Sequence, residues 1–328
     1  MFLNLYLALF LTFAPIAQPL PGKERSPQQI NSLKSEITAK SAIVIDAKNK
    51  KVLYEKNIHQ PFPIASLTKL VTALVFLDIY SSPSESSKTF SPRLDWEKPI
   101  TIIPGDQAEG AKLFVKPGEK IKVKDLFYSM LVGSANNATK ALVRSTGLSQ
   151  EEFVKRMNQK TKKILNNYLL KSRTCFNKMP RPRTFFTEPT GLSPKNISTA
   201  CEIALIAEEI LKNEKIREAV SREKYTFRMI GSKTLRTVKN IDEVLKNSLK
   251  DSKNQKIKRG STELIKNYNQ KFKVIAGKTG YLEEAGYCLL TQAKKNKHRV
   301  IAVILGTQNS KARFQEMKKI LEKNFQKL

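Results

Sequence analysis

Three short groups of residues could do chemistry together. The first is Ser66-Leu67-Thr68-Lys69, at the head of an apolar run ending near Asp78. On a helix, positions i and i+3 share a face, so the Lys69 amine can approach the Ser66 hydroxyl. The first turn of a helix also carries unpaired N–H groups and the positive end of the dipole. That field favours an alkoxide at Ser66 and a neutral amine at Lys69, as a Ser–Lys nucleophile pair requires. Alone the pattern is weak, because a capped helix beside a surface lysine reads the same way. The second group, Gly133-Ser134-Ala135-Asn136, breaks two apolar helical stretches, and its bland reading is an interhelical turn. The third, Lys278-Thr279-Gly280, closes an extended stretch from Phe272 to Ala276.

The elements that must position these groups follow from periodicity. Leu67, Leu70, Val71, Leu74, Val75 and Leu77 recur near helical period and predict a largely buried helix from Ser66 to about Tyr80. Before it, Ser41–Ala47 and Lys51–Lys56 predict a hairpin closed by a Lys/Asn turn. After it, four helices are expected over 124–132, 137–143, 151–166 and 198–211, with caps near Asp125, Ser149 and Ser198. Strand character returns at 225–230, 272–276, 287–291 and 300–305, and a helix is expected over 310–325. The fold class is therefore α+β. Strands from both ends must share one antiparallel sheet flanked by helices, with an all-helical subdomain at about 123–211 inserted in it. Residues 1–20, apolar and uncharged, read as a signal peptide or N-terminal membrane anchor, although no basic residue precedes the apolar run. Residues 21–40 read as a linker and 41–328 as the catalytic domain.

Composition narrows the function classes. In 328 residues, 59 Lys+Arg against 29 Asp+Glu give a net charge of +30, which attracts polyanions. The lysines are scattered and no nucleic-acid-binding motif is present, so no specific nucleic acid is expected. Anionic wall polymers or lipid head groups are the expected polyanions, and salt-dependent binding to isolated sacculi would test them. Two histidines, His59 and His298, leave little material for a metal site or a Ser-His-Asp triad. Cys175, Cys201 and Cys288 are widely spaced and argue against a disulfide framework. Buried free thiols are the default, with one disulfide compatible with export.

Order and spacing of the three groups resemble the penicillin-binding-protein and serine β-lactamase superfamily, whose S-x-x-K, S-x-N and K-T-G motifs they match. Ile64–Leu74, Glu188-Pro-Thr-Gly-Leu-Ser-Pro-Lys-Asn-Ile-Ser-Thr-Ala200 and Gly277-Lys-Thr-Gly-Tyr-Leu-Glu-Glu-Ala-Gly-Tyr-Cys-Leu289 resemble the low-molecular-weight D-alanyl-D-alanine carboxypeptidases over about 40–310. The resemblance implies a β-lactamase/transpeptidase-like fold and serine acyl transfer on peptidoglycan stem peptides, with β-lactam antibiotics as covalent inhibitors and no metal or organic cofactor. It also implies the roles. Ser66 is the nucleophile and Lys69 its base, made neutral by desolvation and by the like charge of Lys278. Ser134 relays a proton to the leaving group, and Asn136 holds the substrate amide and orients Lys69. Lys278, Thr279 and Gly280 bind the substrate carboxylate end, and backbone N–H groups of Ser66 and Tyr281 form the oxyanion hole.

Some features depart from the family pattern. Ala135 stands where relatives often have Gly or Asp, and the basic stretches 170–183 and 235–271 are unusual. The β-rich second domain of many relatives is not expected, so membrane attachment would come from the N-terminus. Carboxypeptidase action in the periplasm or another extracytoplasmic space is the leading expectation. D,D-endopeptidase action on crosslinked stems, or a non-hydrolytic β-lactam sensor, are the alternatives. The Glu188 segment does not match the E-x-x-L-N pattern of class A β-lactamases.

Overall fold

The computed structural model describes residues 37–81, 93–169, 175, 181–258 and 272–328. Side chains of 252–258 are not described. The signal or anchor segment, most of the linker and most of the basic 170–183 stretch lie outside the described residues, as do 259–271. The compact unit begins at Ile37 rather than 41. Ile37 and Ala39 are buried, and the Glu316 carboxylate accepts from the Thr38 and Ala39 amides.

In chain order, β1 (Ser41–Asp46) and β2 (Val52–Lys56) form the expected hairpin. Short β3 (Phe62–Pro63) leads through a 3-10 turn (Ala65–Leu67) into α1 (Thr68–Ser81). Thr68 to Leu77 are buried without interruption, because this helix crosses the middle of the molecule and packs on helices all round. Then come β4 (Pro99–Thr101), β5 (Lys120–Lys122), α2 (Val123–Val132), α3 (Asn136–Arg144) and α4 (Gln150–Leu169). They are followed by β6 (Ile197–Ser198), α5 (Ala200–Ile210) and α6 (Glu214–Val220). The capping hydroxyl of α5 is that of Thr199, one residue beyond the expected Ser198; it accepts from the Glu202 amide. Ser149 caps α4 as expected.

A β7 (Lys224–Arg228) and β8 (Leu235–Lys239) hairpin precedes α7 (Glu243–Lys258). The chain closes with β9 (Lys273–Leu282), β10 (Gly286–Lys295), β11 (His298–Thr307) and α8 (Ser310–Phe325). The main sheet has order β2-β1-β11-β10-β9 and is antiparallel throughout. Helices α5 and α8 both pack on it, and β1 is buried along its whole length, so both faces are covered. The edge strand β9 carries the third motif.

One cysteine expectation is corrected. Cys175 and Cys201 form a disulfide with a Cα–Cα separation of 6.0 Å. Cys288 is a buried free thiol. Wide spacing misled because the bridge closes a 26-residue separation onto the first turn of α5, a proximity set by tertiary packing alone.

Candidate active site

Ser66 lies inside the 3-10 turn, not in the α-helix, which begins two residues later. The preceding residue, Ala65, has φ +47°. That left-handed step is fixed from two sides. A Cβ on Gly191 (φ +83°) would lie 2.1 Å from the Ala65 carbonyl oxygen, and a Cβ on Gly280 would lie 3.2 Å from the Ser66 nitrogen. The loop after Glu188 and the strand β9 thus clamp the turn, and both approaches demand glycine.

Lys69 is completely buried. Its Nζ lies 3.0 Å from Ser66 Oγ, 2.6 Å from Asn136 Oδ1 and 2.5 Å from the Thr190 carbonyl oxygen. Asn136 and Thr190 consume the two N–H groups of a neutral amine, which leaves its lone pair directed at the Ser66 hydroxyl. Burial pulls the Lys69 pKa down to about 7, against the opposing pull of the Glu188 charge.

Ser134 sits in the break between α2 and α3, and Asn136 opens α3. The amides of Gly133 and Ala135 both donate to the Ser129 carbonyl, which forces Ser134 into φ +57°. Asn136 is held by its amide on Ala111 O and by its side chain on Glu109 O. The Asn137 side chain brackets the Leu113 backbone. Lys278 Nζ donates to Ser134 Oγ at 2.8 Å and to Thr279 O at 2.9 Å.

Lys278-Thr279-Gly280 lies inside the ten-residue β9, not at a strand end as the sequence suggested. The pairing of Leu290 with Lys278 and of Cys288 with Gly280 carries the strand through the motif. Tyr281 follows, half exposed, its ring 4.3 Å from that of Tyr287 and tilted against it. The lysine coupling also differs from the expectation. Burial is the cause that lowers Lys69, whereas at Lys278 the repulsion from Lys69 and Arg313 adds to burial and holds its pKa well below the usual lysine range. Both buried lysines thus hold their protons less tightly than a solvated lysine, Lys278 in part because of Lys69.

Sequence reasoning missed three groups. Glu188 organises its loop, accepting from the Thr190 and Gly191 amides, the Thr190 hydroxyl and Asn196 Nδ2. In doing so it aims the Thr190 carbonyl at Lys69. Arg313, on the inward stripe of α8 with Met317 and Ile320, is buried and donates to Gly280 O at 3.1 Å. Its guanidinium lies 5.3 Å from the Tyr287 ring centre and 4.5 Å from that of Phe314. An arginine at an apolar helical spacing was the available signal. Asp242 is completely buried just before α7, and its signal was an acid immediately before a helix start.

A family model for D-alanyl-D-alanine carboxypeptidases (Peptidase S11) matches residues 26–309. D-alanyl-D-alanine carboxypeptidase DacF of Bacillus subtilis is 29% identical over 96% of this chain and 67% of its own length. A D-alanyl-D-alanine endopeptidase of Pseudomonas aeruginosa is also 29% identical, over 92% of this chain and 80% of its own. Among solved structures, a mutant Streptomyces K15 DD-transpeptidase superposes with a TM-score of 0.68 at 22% identity, covering 88% of this chain and 98% of that one. Penicillin-binding protein D2 of Listeria monocytogenes, in a cefotaxime-bound form, gives 0.64 at 24% identity with the same coverage. The fold is shared with both.

Proposed function

The chain belongs to the D-alanyl-D-alanine carboxypeptidase family, and on that premise we propose that Ser66 removes the terminal D-alanine from peptidoglycan stem pentapeptides through an acyl-enzyme. Lys69 takes the Ser66 proton as the hydroxyl oxygen attacks the D-Ala–D-Ala carbonyl carbon. The oxyanion that forms is met by the N–H groups of Ser66 and Tyr281. Ser134 passes a proton to the departing D-alanine nitrogen, and the carbon–nitrogen bond breaks. Asn136 holds the substrate amide, while Lys278 and Thr279 hold the carboxylate of the leaving residue against Gly280. A water, with Lys69 again as base, then releases the shortened peptide.

The observation that carries the reading is the Lys69 amine, wholly buried and with two of its hydrogen-bonding positions filled by Asn136 and Thr190. The third is left for Ser66. A substrate carboxylate beside Lys278 would favour the charged form of that lysine. The same geometry supports covalent capture of β-lactams, whose carboxylate and strained amide present the same groups.

The reaction belongs outside the cytoplasmic membrane, where the substrate is. Among the described residues no helix is long and apolar enough to cross a membrane, and the segment read as a signal or anchor lies outside them. Fluorescent penicillin should label the protein covalently, and Ser66→Ala should abolish the label; labelling that survives this change overturns the assignment.

A second reading, D,D-endopeptidase, is favoured by the Pseudomonas relative, matched at the same identity over a larger share of its length. Mass spectrometry of digested peptidoglycan separates the two. Free D-alanine marks the carboxypeptidase, and cleaved crosslinked dimers mark the endopeptidase.

A further inference from the structure

The ribbon formed by β7 and β8 has two faces of opposite character. Its inner face packs on the molecule. Tyr225 stacks on Tyr128 of α2 with ring centres 4.5 Å apart, Phe227 and Val238 are buried, and a Cβ on Gly133 would lie 2.9 Å from that of Val238. Arg236, in the inner set, meets Glu119 at 3.8 Å. The outer face carries Lys224, Thr226 and Arg228 on β7 and, directly opposite them, Lys239, Thr237 and Leu235 on β8. All six are exposed and none is acidic. The two threonine hydroxyls bond each other at 2.9 Å. Lys224 and Lys239 make a like-charged cross-strand pair, which opposes strand pairing. Neither of them, nor Arg228, nor Lys233 in the turn, has an ion-pair partner among the described residues.

Aliphatic residues continue this outer set at both ends of the ribbon. Ile230 follows Arg228 by two positions and Ile241 follows Lys239 by two, in step with strand alternation. Ile230, Leu235 and Ile241 are 39%, 58% and 57% exposed. They are three of the eight large hydrophobic residues left exposed among the described residues, and all lie within 230–241. A single exposed aliphatic residue is ordinary; three of them bracketing unpaired cations on one bare face mark an interaction surface. An anionic partner answers the cations, but a wholly polar polymer would leave the three aliphatic side chains in water. An anionic bilayer accommodates both, with lipid phosphates at the cations and the aliphatic groups in the boundary beneath them. We propose that the outer face of the β7–β8 ribbon is a docking surface for an anionic lipid bilayer. The proposal is independent of the peptidase reading. Gly133, against the inner face, immediately precedes Ser134, so the docked bilayer lies one ribbon's thickness from the candidate site.

The test is amide hydrogen exchange of the full chain with and without vesicles of about 30% phosphatidylglycerol in phosphatidylcholine. The amides of 229–235 are the readout, local to the ribbon. Three variants with native melting transitions are compared with wild type. Lys224→Gln/Arg228→Gln/Lys239→Gln removes the patch cations, and Lys155→Gln/Lys162→Gln/Lys163→Gln removes as many exposed cations from α4. Leu235→Ser/Ile241→Ser removes aliphatic groups and keeps every charge. Vesicles are expected to slow exchange at 229–235 at least about fivefold in wild type and in the α4 variant. Attraction falls about fivefold per cation removed, so exchange in the patch-cation variant should stay within about twofold of its vesicle-free rate. The aliphatic variant should lose most of the slowing. Equal behaviour of the two glutamine variants overturns the proposal, because net charge alone would then govern binding. Full slowing in the aliphatic variant, or equal slowing of wild type by poly(glycerol phosphate), also overturns it and identifies a phosphodiester polymer as the occupant.

Discussion

The chemistry of single residues here has a stability cost with a definite pH signature. Lys69 is buried and its pKa falls from the ordinary 10.5 to about 7. A lysine whose folded pKa lies below its unfolded value opposes folding most where the unfolded chain is protonated and the folded one must be too. The cost is complete below about pH 7 and is relieved as pH rises from there towards 10.5. Lys69→Met should abolish acylation. It should also gain stability relative to wild type, on the order of a few kcal/mol at neutral pH, with the gain shrinking by about pH 10. Leaving Asn136 Oδ1 and Thr190 O unpaired subtracts about 1–3 kcal/mol each, whatever the pH. Denaturant unfolding at several pH values therefore tests the slope. A difference between the two proteins that does not vary with pH would mean Lys69 is not held neutral.

At the scale of elements, the Ser66 turn is fixed by two neighbours pressing on it rather than by its own sequence. Gly191 is the tighter contact, with positive φ and a Cβ position inside the Ala65 carbonyl. Gly191→Ala should cost about 3 kcal/mol or more and remove acylation even in the folded fraction, because the Thr190 carbonyl moves off Lys69. A thermal melt with a parallel labelling assay checks both, and an alanine variant that labels at the wild-type rate would refute the clamp. This contact was invisible in the sequence, whereas much else was legible. The 41–56 hairpin, the buried helix after Ser66 and the helices of 123–210 follow from period and breakers, which are local. The three motifs were legible because their residue types and order are distinctive. The miscast features all depend on long-range packing. They are the 3-10 turn at Ser66, the continuation of β9 through Gly280, the entry of Ile37 and Ala39 into the core, and β8 in a lysine-rich stretch. Glu188 and Asp242 were read past because each works through backbone amides of its own loop.

At the scale of the whole molecule, the Cys175–Cys201 bridge ties the first turn of α5 to a distant part of the chain. A disulfide persists in an oxidising compartment, where an exported enzyme would be. The bridge closes a 26-residue separation, for which chain entropy gives about 3 kcal/mol. Unfolding with and without reductant should show a loss of that order. Cys175→Ser should match the reduced wild type, and equal stability of all three would show that the bridge contributes nothing. Cys288, completely buried within β10, should stay unreactive to thiol reagents in the folded protein.

The strand order has a consequence for timing. In the main sheet β1 is flanked by β2 and by β11, with Ser41 opposite Leu305. The first hairpin therefore waits, with one edge open, until residues 298–307 have been made, and the edge strand β9 can join only through β10. Contacts of such sequence separation are slow to form. A chain built this way emerges from synthesis without a finished sheet, which closes only once its last strands have been made.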